Sequence, residues 1–232
     1  MKSYEYYEKI AHLYDQMYED EEWTILRQAV QIYIENVIGS LSGKVLDVGT
    51  GTGYWLNFFL KKNFQVYAIE PSKKMLEIAK RKYKDKVKFF NTKIEEFEFE
   101  DRFDILNLQG DVLSYIEDLD FVMKKMKNLV KNKGYIFATV DSFYFMRRQI
   151  IKYGNLKELR DFDRTHITTV GSQYGTFKSR CFTVEDILNL KRYGFEVIDI
   201  RGCGLSKVLS EELKNSYLVK EAEHIFFALR KL

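Results

Sequence analysis

Val45 to Trp55 reads VLDVGTGTGYW, and it joins a short apolar strand to a glycine turn that opens into a helical pattern. Glycines at 49, 51 and 53 let the backbone pass close to a ligand where a side chain would collide. Asp47 sits just inside the turn. A second acid, Glu70, follows at the end of the next apolar run, Val66 to Ile69. An acid at the tip of a second strand is placed to accept hydrogen bonds from two ribose hydroxyls, so the pair reads as a nucleoside site.

The spacing narrows the choice of nucleoside. Dinucleotide folds favour GxGxxG, whose last glycine underlies a pyrophosphate at a helix N-terminus. Here that position is Tyr54, followed by Trp55, which leaves little room for a diphosphate and disfavours a nicotinamide dehydrogenase. DxGxGxG with an acid on the next strand resembles the first two motifs of the class I S-adenosylmethionine-dependent methyltransferases. The resemblance extends over about Tyr4 to Leu229 and implies S-adenosyl-L-methionine as cofactor.

Under that resemblance, Gly49, Thr50, Gly51 and Gly53 form the turn beside the methionine and ribose of the cofactor. Asp47 orients the turn or meets the amino group, although an aspartate here also serves simply to stabilise a turn. Glu70 holds the ribose, with Pro71, Ser72 and Met75 near the adenine. Where many relatives carry an acid for the adenine amine this chain has Lys93, which only donates, so Thr92, the Ile94 backbone or Glu95 is expected instead. Gln109 and Gly110 supply backbone to the methionine moiety. Among the N-terminal tyrosines, which at helical spacing read mainly as core, Tyr14 is the one expected to close over the cofactor.

Length and composition fit a single soluble domain. The chain has 232 residues, 46% hydrophobic and 31% charged, and no internal repeat. Its N-terminus lacks an apolar signal core, and no run approaches the roughly 18 apolar residues needed to span a bilayer, so a cytoplasmic protein without membrane association is expected. The net charge of +3 arises from near balance, 37 basic against 34 acidic residues. A nucleic-acid partner therefore has no support from charge, though none is excluded. Cys181 and Cys203 are too few for a zinc site and read as small buried hydrophobes. No metal is expected, because His and Cys are scarce and the acids show no ligand spacing.

Periodicity organises the rest. Tyr4 to Leu41 reads as helical, so residues 1–41 form an N-terminal helical cover. Residues 42–140 form the cofactor-binding core, with strands at Lys44 to Val48, Val66 to Glu70, Val87 to Asn91, Phe103 to Leu108 and Tyr135 to Val140. Helices fall at Trp55 to Lys62, Ser72 to Tyr83 and Leu119 to Val130, with Asn132 to Gly134 as the turn into the fifth strand. Such alternation predicts an α/β fold, a Rossmann-like doubly wound and mostly parallel sheet. Residues 181–232 complete it, with a capped helix start at Thr183, strands Phe195 to Ile200 and His224 to Leu229, and a polar helical stretch Ser206 to Glu221 between them. By resemblance the sheet has seven strands and the last is antiparallel.

Between these parts lies an insert after the fifth strand, residues 141–180. It is too aromatic for a linker and carries Arg147, Arg148, Arg160, Arg164, His166 and Arg180. It is the expected acceptor site, its arginines suited to a carboxylate or phosphate. His166 is the candidate general base, preferred to His12 and His224 because those lie on an expected helix and strand, although a surface or packing histidine is the readier reading of the ring. In QGDVLSYIED, Asp111, Ser114 and Tyr115 face the substrate, with Asp111 alternatively starting a turn.

Some acceptors drop out. Base or amide N-methylation generally uses an NPPY-like motif where this chain has NLQGD, and Cys181 in SRCFT is no cytosine-C5 nucleophile context. The expectation is methyl transfer to a small molecule bound between the N-terminal helices and the insert. An RNA or protein methyltransferase is the alternative, favoured if the insert arginines gather with Lys207 and Lys214. A non-catalytic S-adenosylmethionine-binding protein is the other.

Overall fold

The computed structural model describes residues 1–204 and 216–232. Its centre is β1 (Lys44–Val48), whose alternation sends Val45 to one face and Leu46 and Val48 to the other. Parallel partners follow as β2 (Gln65–Ile69), β3 (Val87–Phe90), β4 (Phe103–Leu108) and β5 (Val130–Asp141). Two further strands, β8 (Phe195–Cys203) and β9 (His224–Lys231), complete a seven-stranded sheet of order β3-β2-β1-β4-β5-β9-β8. β9 runs antiparallel to both neighbours, as expected.

Helices cover both faces, which explains why every residue of β1 beyond Lys44 is buried. One face takes α3 (Glu21–Ile38) and α4 (Leu56–Lys61), with Val30, Ile34, Leu56 and Phe59 fully buried. The other takes α6 (Leu119–Leu129), with Val122, Met123 and Met126 fully buried, and α9 (Val184–Leu188). α5 (Lys73–Tyr83) begins at Ser72, whose hydroxyl accepts from the Met75 amide. The Thr183 and Asp186 capping box forms as the sequence indicated.

The N-terminal cover is three helices: α1 (Ser3–Ile10), α2 (Tyr14–Met17) and α3, which starts where Asp20 accepts from the Trp23 amide at 2.8 Å. Asn132–Gly134, expected as a turn ahead of β5, lies within it as an irregularity. Lys133 there adopts φ +63° and the register against β4 shifts. Most of the expected helix Ser206 to Glu221, with Lys207 and Lys214, lies outside the described residues, and its end forms α10 (Ser216–Glu221).

The insert is structured. α7 (Phe143–Tyr153) and α8 (Leu156–Thr165) pack around Ile150 and Phe162, and a hairpin of β6 (Ile167–Ser172) and β7 (Gly175–Arg180) returns over the carboxyl edge of the sheet. No described helix is long and apolar enough to cross a membrane. Cys181 and Cys203 are buried and unpaired with each other.

Candidate active site

Strand order reverses between β1 and β4, and ligands of open α/β sheets lie outside the carboxyl ends at such a point. A cavity of about 460 Å³ opens there, lined by the glycine turn, the end of β2 and the segment after β4. Gly51 has φ +56° and Gly110 φ +77°, and a Cβ at either would enter open space. That is bare backbone facing a void. Gly49 is constrained differently, since a Cβ there would come 2.6 Å from Val112.

Glu70 is buried at the tip of β2 and accepts the Gly51 amide at 2.9 Å and the Ser72 amide at 2.8 Å, one on each oxygen. Burial raises its carboxyl to about 7; the two amide bonds work against that, while the nearby charges of Asp47 and Glu8 add to it. Each oxygen retains a lone pair for a further donor. Asp47 lies behind the turn, accepting from the Thr50 hydroxyl at 2.6 Å and the Asn107 amide at 2.7 Å, and burial lifts its carboxyl to about 6. Gln109 Nε2 donates in turn to Asn107 Oδ1 at 3.1 Å. The carboxylate only accepts, so it orients both amides. Gln109 Oε1 is left buried without a hydrogen-bond partner among the described residues.

The expected cofactor residues separate into two groups. Tyr14, Gly49, Gly51, Glu70, Pro71, Met75, Thr92, Ile94, Gln109 and Gly110 line the first cavity, along with Lys93 and Glu95. Asp47, Thr50, Gly53 and Ser72 do not. Gly53 faces packing, since a Cβ would come 2.9 Å from Leu56 and Tyr83. The Ser72 hydroxyl turns to Glu8 at 2.6 Å, while Thr50 lies at a second cavity.

That second cavity, about 340 Å³, shares Tyr14, Gly49, Gly51, Gln109, Gly110 and Tyr115 with the first. Its walls come from α1 to α3 and the β6–β7 hairpin. Tyr6 donates to Ser172 Oγ at 2.8 Å, and the Phe177 ring centroid lies 5.2 Å from Tyr6 and 5.0 Å from Tyr115. Asp15 of α2 ties this cover to the glycine turn by accepting from Thr52 Oγ1 at 2.6 Å.

Asp111 and Tyr115 both line the second cavity. Ser114 lines the first cavity and accepts the Asp141 amide at 3.0 Å. His166 lies away from both cavities. It caps the C-terminus of α8 at φ +55°, stacks on Phe143 at 4.4 Å and sits 3.2 Å from Asp186, lining neither of these two cavities. The insert arginines are also turned elsewhere. Arg147 pairs with Asp163, Arg164 with Asp161, and Arg148 donates to the carbonyls of Lys220 and Glu221. Arg180 alone of those named lines the first cavity.

The histidine at the cavity is His224. Its Nδ1 lies 3.0 Å from Asp111 Oδ2 and 3.7 Å from Asp141 Oδ1, and the Asp141 carboxylate also accepts from Ser179 Oγ. Burial opposes a charged imidazole, but Asp111 by charge and hydrogen bond, with Asp141 and Glu223, raises it to about 9. Burial and the Asp111 charge in turn push Asp141 well above the usual carboxylate range. The sequence contained a signal for this residue. An antiparallel last strand beginning at His224 must start at the carboxyl edge of its parallel neighbours, and His224 does pair with Asp141. A metal constellation was not expected, yet these three residues bring ligand atoms within 4.8 Å of one another, because they come from the ends of three elements. The Nδ1 position is already engaged by Asp111.

Residues 45–134 match the model of a methyltransferase-domain family. The chain is 25% identical to the uncharacterised protein MJ1252 of Methanocaldococcus jannaschii, over 98% of this chain and 90% of that one. It is also 25% identical to a carboxy-S-adenosyl-L-methionine synthase of Campylobacter jejuni, over 85% and 88%. A solved S-adenosylmethionine-dependent methyltransferase from Clostridium acetobutylicum shares the fold at TM-score 0.66 and 18% identity, over 97% and 98%. Residues 45–134 thus hold a methyltransferase domain, for which S-adenosyl-L-methionine is the cofactor, and the chain as a whole has the fold of solved S-adenosylmethionine-dependent methyltransferases.

Proposed function

We propose that the enzyme methylates a small molecule held in the second cavity, with the cofactor in the first. The observation that carries this reading is their junction: two cavities meet at Gly49, Gly51, Gln109, Gly110 and Tyr115, and the farther one is covered by the N-terminal helices and the hairpin. About 340 Å³ suits a metabolite rather than a polymer segment. The pairing of Arg147, Arg148 and Arg164 within the chain gives no support to a basic nucleic-acid face.

The residues of the first cavity fit the cofactor. Open space at Gly51 and Gly110 leaves room for its backbone-hugging tail, and the two Glu70 oxygens can accept from both ribose hydroxyls. Thr92, Ile94, Pro71 and Met75 would flank the adenine, and Tyr14 would close over the ligand from α2. The sulfonium supplies an activated methyl group for in-line displacement. The protein's part is alignment and exclusion of water, performed by the tyrosine wall and the hairpin. Tyr115 and Asp111 would position the acceptor.

Labelled-methyl transfer to amines, phenols, thiols and carboxylates, run beside bulk tRNA and ribosomal RNA, tests the reading. Turnover of a small molecule is expected, and labelling confined to RNA would overturn it.

A further inference from the structure

The second cavity is lined by acceptors. Asp111, Asp141 and Gln109 line it, and Gln109, only 5% exposed, has an Oε1 without a hydrogen-bond partner among the described residues. The hydrogen-bond chain through Asn107 to Asp47 holds that oxygen in place, so it needs a donor. Facing them is a continuous aromatic wall. Ring centroids step from Tyr7 to Tyr14 at 5.9 Å, Tyr14 to Tyr18 at 4.7 Å, Tyr18 to Trp23 at 4.9 Å and Trp23 to His224 at 5.5 Å. Two cations line this cavity. His224 is engaged by Asp111, and Arg27 packs its guanidinium on Tyr54 at 4.2 Å while donating to the Tyr18 carbonyl at 2.9 Å.

Building on the small-molecule reading above, we infer that the acceptor is an amine, bound as an ammonium between the aromatic wall and the Asp111, Asp141 and Gln109 oxygens, with Asp141 taking its proton before methyl transfer. An ammonium carries donors and no acceptors, which is the complement of these three groups. Aromatic faces attract cations.

The steps balance. R–NH3⁺ passes one proton to the Asp141 carboxylate and becomes R–NH2. The nitrogen lone pair forms the new N–CH3 bond as the methyl–sulfur bond breaks, its electrons staying on sulfur to give the neutral thioether. The product leaves as R–NH2⁺–CH3, and Asp141 returns its proton to solvent. Asp141 suits this role by position: Asp111 is engaged by His224 at 3.0 Å, while Asp141 stands 3.7 Å from the same ring and lines the cavity. The groups that act on it come from several elements: Asp111 after β4, His224 at the start of β9 and the Ser179 hydroxyl of β7.

Benzylamine and its isostere benzyl alcohol are suitable probes, titrated by calorimetry into the protein saturated with S-adenosylhomocysteine. Benzylamine should bind and the alcohol should not, and Asp141→Asn should weaken the amine by about tenfold or more while S-adenosylhomocysteine affinity is kept. Retained circular dichroism and retained S-adenosylhomocysteine binding separate this loss from misfolding. In the acceptor panel, N-methyl products should form. Turnover of phenols or carboxylates without amines would overturn the amine inference and leave the small-molecule reading standing. Labelling of RNA alone would remove both. Activity abolished by EDTA and restored by magnesium would make the cluster a cation site and also overturn the inference.

Discussion

His224 Nδ1 and Asp111 Oδ2 lie 3.0 Å apart although 113 residues separate them in the chain. The contact joins the first residue of β9 to a left-handed residue, φ +61°, just beyond β4. Because the folded imidazole titrates at about 9 against 6.5 in the open chain, its stabilising contribution is complete below about pH 6.5 and is lost as pH rises through about 9. The pair should stabilise the fold on the order of 2 to 3 kcal/mol at neutral pH. Denaturant unfolding should therefore show wild-type stability falling between pH 7 and 9.5, with a smaller fall in His224→Gln. Parallel curves would remove the ion pair.

Glu70 works in the opposite sense for ligand. Its carboxyl is raised from 4.5 to about 7, so its stabilising proton is present below about 4.5 and lost as pH rises through about 7. Ribose hydroxyls donate best to the ionised form. Affinity for S-adenosylhomocysteine should rise by about tenfold or more between pH 5.5 and 8. Glu70→Gln should abolish that dependence while binding more weakly; a variant with the wild-type pH profile would assign the titration elsewhere.

Filling the turn should block the cofactor rather than the fold. A Cβ at Gly51 meets nothing in the protein and projects into open space, at a φ of +56° that costs an L-residue about 1 to 2 kcal/mol. Gly51→Ala should unfold cooperatively with that modest loss and bind S-adenosylhomocysteine at least about tenfold more weakly. Native affinity in the folded variant would place the ligand away from this turn.

The hairpin cover can be loosened at one atom. Tyr6→Phe removes the 2.8 Å bond to Ser172 that ties α1 to β6, worth about 0.5 to 1.5 kcal/mol. Acceptor KM should rise with kcat little changed, because the methyl site itself is untouched. A fall in kcat at constant KM would show the contact acting in the chemical step.

His166→Ala should leave both cofactor affinity and turnover within about twofold of wild type. The ring contacts Phe143 and Asp186 and lines neither the cofactor cavity nor the acceptor cavity. A loss of turnover with normal stability would return it to the site.

The sequence by itself determined the cofactor half. A strand, a glycine turn, a helix and the acid ending the next strand are local features, and each follows from backbone geometry that only certain residues permit. Local spacing therefore carried Gly49, Gly51 and Glu70 to the cavity they line. It also separated the insert from the core, because alternation of apolar runs stops at Val140. The grouping of Asp111, Asp141 and His224 at the second cavity was decided by tertiary structure. Asp111, Asp141 and His224 come from the ends of β4, β5 and β9, and nothing in their own neighbourhoods distinguishes His224 from a strand residue. Sheet order makes them neighbours, and burial together with nearby charge then sets the proton affinities of Asp141 and His224. His166 fails for the same reason. Its place in an aromatic, basic insert looked functional, but the packing of α8 on Phe143 turned it away from the cavities, while the hairpin beyond it supplied Phe177 to their wall.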